Sequence, residues 1–222
     1  KMSKIIFMSH PLDEKTPSYG GRDSLKISPN SKIVNGVGAN TSSLLFSNNH
    51  MGTHMDTPYH FCENGKKTLQ YKAEEFYFSN VGIINHPCTS AKLIESNDLD
   101  LKTVPLDIDF LFINTSFEKY RGDKKYINDN PGLHADLAKV LRDKFSNLRG
   151  VGFDFISLTS WKYREEGRNS HKSFLCNKRS LLVIEDVSFK ELNTSQIDWT
   201  MISPLRTSDG NGGPVTIISK IK

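Results

Sequence analysis

The chain has 222 residues, 36% hydrophobic and 24% charged, with 15 Gly and 9 Pro, which excludes a disordered tail, a collagenous chain and a disulfide-stapled mini-protein. Its 29 Lys and Arg against 25 Asp and Glu leave a formal charge of +4, and the basic residues fall in scattered pairs such as Lys66-Lys67, Lys124-Lys125 and Lys178-Arg179. A nucleic-acid binder more often carries a basic stripe with interleaved aromatics, so no nucleic-acid partner is expected. The length suits a single domain over 1–222.

In chain order, the opening Lys1-Met2-Ser3-Lys4-Ile5-Ile6-Phe7 lacks the long apolar stretch of a signal peptide. Ile5-Ile6-Phe7-Met8 reads as a strand and the Pro/Gly-rich stretch from Pro11 to Arg22 as a loop. Val81-Gly82-Ile83-Ile84 and Phe110-Leu111-Phe112-Ile113 read as short buried strands. From Leu133 to Leu148 one apolar stripe (Leu133, Leu137, Val140, Leu141, Phe145, Leu148) predicts a helix, with Asn130 as cap, Pro131 in the first turn and Gly150 as stop. Strands follow at Val151-Gly152-Phe153-Asp154, Leu181-Leu182-Val183-Ile184 and Pro214-Val215-Thr216-Ile217-Ile218. More strands than helices, mixed along the chain, predict an α/β fold. No apolar run approaches the ~20 residues of a membrane span. Cys62, Cys88 and Cys176 are odd in number and lack CxxC spacing, which argues against a disulfide framework or a cysteine zinc site and for a reducing cytoplasm.

Three of the seven histidines fall within His50-Met51-Gly52-Thr53-His54-Met55-Asp56-Thr57-Pro58-Tyr59-His60-Phe61. Imidazole and carboxylate are the usual ligands of zinc, manganese and similar ions. In an extended segment His54 and Asp56 share a face. His50 and His54 would share one only in a helix, which Pro58 and Gly52 disfavour. A turn at Gly52-Thr53 that folds His50 back over His54 and Asp56 is therefore the expected geometry, with Gly52 free to take a positive φ. The bland alternative is a polar loop whose histidines cap turns. Such density of histidine in a His-poor chain favours a metal site.

This segment resembles HxGTHxDxPxHF, the signature of the metal-dependent cyclase-like hydrolases, a family that includes bacterial kynurenine formamidase and isatin hydrolase. His50, Gly52, Thr53, His54, Asp56, Pro58, His60 and Phe61 match every fixed position. Met8-Ser9-His10-Pro11-Leu12, Gly152-Phe153-Asp154-Phe155-Ile156-Ser157, His171 with Leu175, Ile184-Glu185, Pro204-Leu205 and Gly212-Gly213-Pro214-Val215 are similar to further family stretches. The resemblance implies an α/β domain round a β-barrel-like mixed sheet with flanking helices. It implies two divalent ions, zinc or manganese, the first on His50, His54 and Asp56 and the second on Asp56, His171 and Glu185. His60 is implied as the catalytic histidine that moves a proton. From the residues alone, His171 reads as a surface residue at a helix start and Glu185 as a solvated strand end.

The implied activity is hydrolysis of a small amide C–N bond, such as that of an N-formyl aryl amine. A cyclic-amide or lactone hydrolase or cyclase, and a metal-binding module without catalysis, stand as alternatives. The implied partners are a small-molecule substrate and further copies of the chain, in a homodimer or homotetramer. The sequence departs from the family at Tyr19-Gly20-Gly21-Arg22-Asp23, at Thr159, at Thr216 and in a slightly long spacing from His171 to Glu185. His10, His86 and His134 read as surface or turn residues, and Cys62 as a small buried filler.

Overall fold

The computed structural model describes residues 4–193 and 196–222, so Lys1, Met2 and Ser3 of the opening lie outside the described residues. The first half supplies β1 (Lys4–Phe7), β2 (Leu25–Ser31), β3 (Thr41–Phe46), β4 (His54–Asp56), β5 (Tyr77–Phe78), β6 (Val81–Asn85) and β7 (Leu93–Ile94). The second half supplies β8 (Phe110–Asn114), β9 (Gly132–Leu133), β10 (Gly150–Phe153), β11 (Leu182–Glu185), β12 (Ile197–Pro204) and β13 (Gly212–Ile221). Three α-helices are described: α1 (Lys124–Asn128), α2 (Ala135–Lys144) and α3 (Arg164–Leu175).

Seven strands close on themselves in the order β13-β4-β11-β10-β8-β6-β12 and back to β13, with β1 and β5 paired onto the ring. β11, β10, β8 and β6 run parallel to one another, while β4, β12 and β13 join antiparallel. This is the mixed, barrel-like sheet that the resemblance implied. Alternation along each strand divides the core in two. Phe110, Phe112, Leu182, Ile184, Met55 and Ile217 belong to one cluster, filling the barrel. Leu111, Ile113, Val151, Phe153 and Val183 face the other way and pack with Leu137 and Leu141 of α2 and Phe174 of α3. A strand such as Phe110–Ile113 is apolar throughout because both faces are covered.

The predicted strands are all present within two residues, except that β13 runs three residues past the expected end at Ile218. The predicted helix is shorter than its stripe: α2 covers Ala135–Lys144, Gly132–Leu133 is a strand and Phe145 is the C-cap. The N-cap is His134, whose Nδ1 accepts from the Asp136 N–H, and not Asn130. Asn130 is buried and its amide donates to the carbonyls of Pro131, Ser157 and Thr159. Leu133, Phe145 and Leu148 are buried as the stripe required, but from outside the helix. Two further expectations are corrected. Cys62 and Cys176, separated by 114 positions, form a disulfide with Cα atoms 5.6 Å apart, a pairing made by tertiary structure and invisible to local spacing. His10 is not a surface residue; it is 7% exposed beneath Glu118 and Asp186.

Among the described residues no helix is long and apolar enough to cross a membrane. The hairpin β2–β3 carries Ile27, Leu44 and Leu45 exposed at 41%, 50% and 59%.

Candidate metal centre

The cluster forms on the outer wall of the barrel, under α3. In the three-residue strand β4, Met55 points into the barrel, so His54 and Asp56 point outward to the helical layer. Register then sets their neighbours: Glu185 lies directly across from His54, and Val183 from Asp56. On the other side β13 closes against β4 with Gly212 opposite Asp56. Gly212 has φ +152°, and a Cβ there would lie 2.2 Å from the Met55 carbonyl oxygen and 2.8 Å from His50 Cε1, so only glycine lets the strands meet at this point.

The turn before β4 takes the expected form. Gly52 has φ +64°, and a Cβ would strike Leu12 Cδ2 at 2.6 Å. The chain reverses there and brings His50 Nδ1 to 2.7 Å from Asp56 Oδ1, while His50 Nε2 lies 3.0 Å from Asn211 Oδ1. The Thr53 hydroxyl donates to the Asp186 carbonyl at 2.6 Å and accepts the His10 N–H at 2.8 Å, fixing the turn to the end of β11.

His54 Nδ1–H donates to the Gly52 carbonyl at 2.8 Å, which turns Nε2 to within 3.2 Å of Glu185 Oε2 and 3.6 Å of Asp56 Oδ1. His171, on α3, repeats the arrangement. Its Nδ1–H donates to the Gly167 carbonyl at 2.9 Å with the Thr159 hydroxyl at 3.1 Å, and Nε2 stands 3.4 Å from Asp56 Oδ2 and 3.5 Å from Glu185 Oε1. A histidine anchored through one nitrogen with the other aimed at carboxylates is the preparation a metal-ligating imidazole requires. Glu185 Oε1 accepts the Leu158 N–H at 2.6 Å and faces the Ser157 hydroxyl at 3.3 Å.

His60 ends a 3-10 turn opened by Pro58, and its ring stacks on His50 at 4.0 Å between centroids. Phe61 stacks on His171 at 4.3 Å, nearly parallel at 14°. The structure thus brings together all six residues singled out in the sequence. Two triads share Asp56: His50, Asp56 and His60, and His54, Asp56 and Glu185, each with donor atoms within 4.8 Å of one another. Asp56 belongs to both triads, while His50 groups with His60 rather than with His54, and the second triad holds His54 where the expectation had His171. His171 and Glu185 are buried, unlike the surface residues their local sequence suggested.

The electrostatics are those of an anionic pocket. Burial disfavours a charged His54, but the hydrogen bond and charge of Glu185 and the charge of Asp56 outweigh it and raise the ring to about 9. His171, against the same burial, is raised to about 10 by Asp56 and Glu185. Burial opposes ionisation of Asp56 and Glu185 too, yet the surrounding imidazoles hold both carboxyls below their ordinary values. His60 goes the other way: burial lowers it to about 4, so its ring is neutral at pH 7.

The donor set of imidazoles and carboxylates suits zinc or manganese. Asp56 Oδ2 is buried without a hydrogen-bond partner among the described residues, and set among imidazoles and Glu185 it is placed to coordinate a cation. The residues present fit divalent ions.

Sequence reasoning missed several supporting residues. Asn211 engages His50, and Thr159, noted only as a departure, orients His171. Behind Glu185, the Asp186 carboxylate is gripped by Arg121 Nε at 2.9 and 3.1 Å and Nη2 at 2.9 Å and also accepts the Tyr126 hydroxyl. Asp186 follows a ligand candidate directly, which was the available signal; Arg121 and Tyr126 had none. A groove of about 860 Å³, lined by Leu12, Leu44, Phe46, Pro204, Leu205 and Val215 among others, contains none of the six residues.

A closed mixed barrel with a buried histidine–carboxylate cluster on its wall defines a class, and comparison names it. The chain belongs to the cyclase family, described as "Putative cyclase", whose model matches residues 6–159. His171 and Glu185 lie beyond that match and join the site on the geometry above. Kynurenine formamidase of Bacillus anthracis is 27% identical over 226 residues, covering 98% of each chain. That of Bacillus thuringiensis subsp. konkukian is 26% identical over 223 residues, covering 99% of each. Isatin hydrolase A from Labrenzia aggregata, solved with benzyl benzoate, shares the fold with TM-score 0.80 at 17% identity, over 99% of this chain and 94% of that one. A predicted metal-dependent hydrolase from Bacillus stearothermophilus aligns over 100% of both chains with TM-score 0.75 at 20% identity.

Proposed function

We propose that the protein is a divalent-metal-dependent hydrolase of a small amide C–N bond, with an N-formyl aryl amine of the N-formylkynurenine type as substrate. The observation that carries this reading is Asp56: one buried carboxylate at the corner of two triads, with the neutral ring of His60 beside it. The kynurenine formamidases matched along the whole chain support the same enzyme class. His50, His54, Asp56, His171 and Glu185 would hold two ions, zinc or manganese. Ions bound there would polarise a carbonyl and make water acidic enough to ionise near neutral pH.

The chain's own residues do the rest. Glu185 is fixed by the Leu158 N–H, and His54 and His171 by backbone carbonyls, so the donors are set before any ion arrives. His60 has no hydrogen bond to a neighbouring side chain among the described contacts, and burial keeps it neutral. It can take a proton from the attacking water and return it to the leaving nitrogen. Phe61 and the stacked imidazoles give the site an aromatic floor suited to an aryl group.

The assembly belongs to this reading as well. Apolar side chains exposed on the β2–β3 hairpin, together with Phe7 at 58% and Leu205 at 56%, support association of copies into a homodimer or homotetramer. We assign the protein to the cytoplasm; the Cys62–Cys176 bond withdraws the cysteine count as an argument for that compartment.

The test is turnover of N-formylkynurenine and isatin by protein reloaded separately with zinc and with manganese. Chelator-sensitive hydrolysis of the formamide supports the reading. Hydrolysis of isatin alone moves the substrate to the cyclic amides. Bound metal without turnover of either discards the substrate, and failure to bind metal refutes the whole.

A further inference from the structure

The Cys62–Cys176 disulfide joins two pieces of chain that each carry a site residue. Cys62 closes the turn that holds His60 and Phe61; its N–H donates to the Pro58 carbonyl at 2.9 Å, and its carbonyl accepts the Gly65 N–H at 2.8 Å. Cys176 is the C-cap of α3, the helix that carries His171, and its N–H donates to the Lys172 carbonyl at 2.8 Å. Phe61 stacks on the His171 ring from the turn side. Covalent bond and ring stack thus close a small circuit, from His171 along α3 to Cys176, across to Cys62, and back through Phe61. His60 hangs from that circuit, its ring 6.0 Å from His171.

The backbone hydrogen bonds that tie the turn to β13 lie on its far side. Thr57 N–H donates to the Asn211 carbonyl and Thr68 N–H to the Gly210 carbonyl, both leading to the start of β13 and away from α3. Opening the disulfide would therefore leave the turn folded and held to the helix side only by the Phe61–His171 stack and the packing of Phe61 and Cys62 on the core that includes Phe174. Access favours exchange, since Cys176 is exposed and Cys62 half-buried. The third cysteine does not compete: Cys88 is buried, and burial pushes its thiol up to about 11.

We propose that the Cys62–Cys176 bond positions His60 against His171, and that its reversible reduction by a dithiol switches the enzyme to a slow form. The exchange balances simply. A thiolate of the dithiol attacks Sγ of the exposed residue Cys176, and Cys62 leaves as thiolate and takes a proton. The second thiol of the reductant then closes its own disulfide and releases Cys176. Two electrons and two protons pass to the protein, giving two thiols, and the dithiol becomes a disulfide. Cys62 and Cys176 are positioning residues here, acting through the turn and the helix.

The effect on rate rests on the amide-hydrolase reading above, so the test carries a second arm that does not. Manganese-loaded protein is equilibrated in mixtures of reduced and oxidised dithiothreitol, and the thiols are counted by alkylation and mass. The expected result is one alkylated thiol in the oxidised form and three in the reduced form. Across that transition kcat falls about tenfold or more, as small misplacements of reacting groups do, while KM stays within about twofold, and reoxidation restores the rate. Cys62→Ser and Cys176→Ser should hold the reduced-form rate in every buffer, and Cys88→Ser should respond like the parent. In the second arm, manganese loss to excess chelator should quicken about tenfold on reduction, whether or not any substrate is turned over. An unchanged kcat across the thiol transition in an active enzyme overturns the proposal. So do an unchanged manganese off-rate, a response lost in Cys88→Ser, or a pair that stays reduced in oxidising buffer. Absence of all turnover with the off-rate response intact refutes the amide-hydrolase reading and leaves the clamp standing.

Discussion

Replacing Arg121 by Met tests how far the site depends on the ion pair behind it. The Asp186 carboxylate is 1% exposed, takes three hydrogen bonds from the Arg121 guanidinium and one from Tyr126, and sits at φ +55°. Met fills much of the same space but leaves the carboxylate with Tyr126 alone. Breaking a buried pair from one side costs about 3–5 kcal/mol. The lower end applies here, because Tyr126 remains and the Arg121 side chain is 16% exposed, so water can reach the gap. About 3 kcal/mol corresponds to a drop in Tm of roughly 6–12 °C for a chain of this size. The assay is thermal and urea unfolding of the parent, Arg121→Met, Asp186→Asn and the double variant. Asn tolerates the left-handed backbone at this position, so Asp186→Asn removes charge without adding strain. The double variant should lie at least about 1 kcal/mol above the sum of the singles. Additive singles, or a cost below about 1 kcal/mol for Arg121→Met, would falsify the argument. The same variant should bind metal more weakly, because the Asp186 carbonyl holds Thr53 and Glu185 is its chain neighbour.

Three further outcomes are expected. His60→Ala should lower kcat by about 10²–10⁴ with metal content unchanged by elemental analysis; full activity would remove its proton-transfer role. Burial lowers His10 to about 4 from 6.5, so the folded state prefers the neutral ring and the unfolded chain takes up the proton first. The stability attached to that ring is complete above pH 6.5 and is lost as pH falls toward 4, on the order of 3 kcal/mol in all. Glu118, raised by its own burial, acts in the opposite sense. His10→Gln should flatten the fall measured by urea titration at successive pH values, and an unchanged slope would contradict the burial argument. Zinc or manganese at about a hundred times its dissociation constant should add about 2.7 kcal/mol and raise Tm by roughly 5–10 °C. Chelator should reverse the rise and Asp56→Asn should abolish it; a shift that survives in Asp56→Asn would put the ions elsewhere.

The first half of the site was legible in the residues themselves. His50, His54 and Asp56 lie on one short segment, and Gly52 announces the turn that gathers them. His171 and Glu185 were not legible in that way. Their roles depend on α3 crossing the barrel wall and on the register of β11 against β4, which local pattern does not encode. Only likeness to a family pointed to them. The helix stripe from Leu133 to Leu148 identified the buried residues correctly and misjudged the ends. Leu133 and Phe145 are held by a strand and a cap that place them against the same core. The Cys62–Cys176 bond and the burial of His10 escaped for one reason: each is made by segments far apart in sequence.

Strand β4 is three residues long, yet it is the piece that completes the ring between β11 and β13. Its partners are Val183–Glu185 on one side and Gly212–Pro214 on the other, more than half the chain away. Such distant pairings carry a large loop-closure entropy, and long-range strand pairing is slow to form. The act that seals the barrel is thus the act that brings His54 and Asp56 to Glu185. A chain that stops short of closure has neither an intact sheet nor a metal centre. Metal capture during refolding therefore reports closure of the barrel at β4, and variants slow to close it should reveal themselves as late binders before they reveal themselves as poor catalysts.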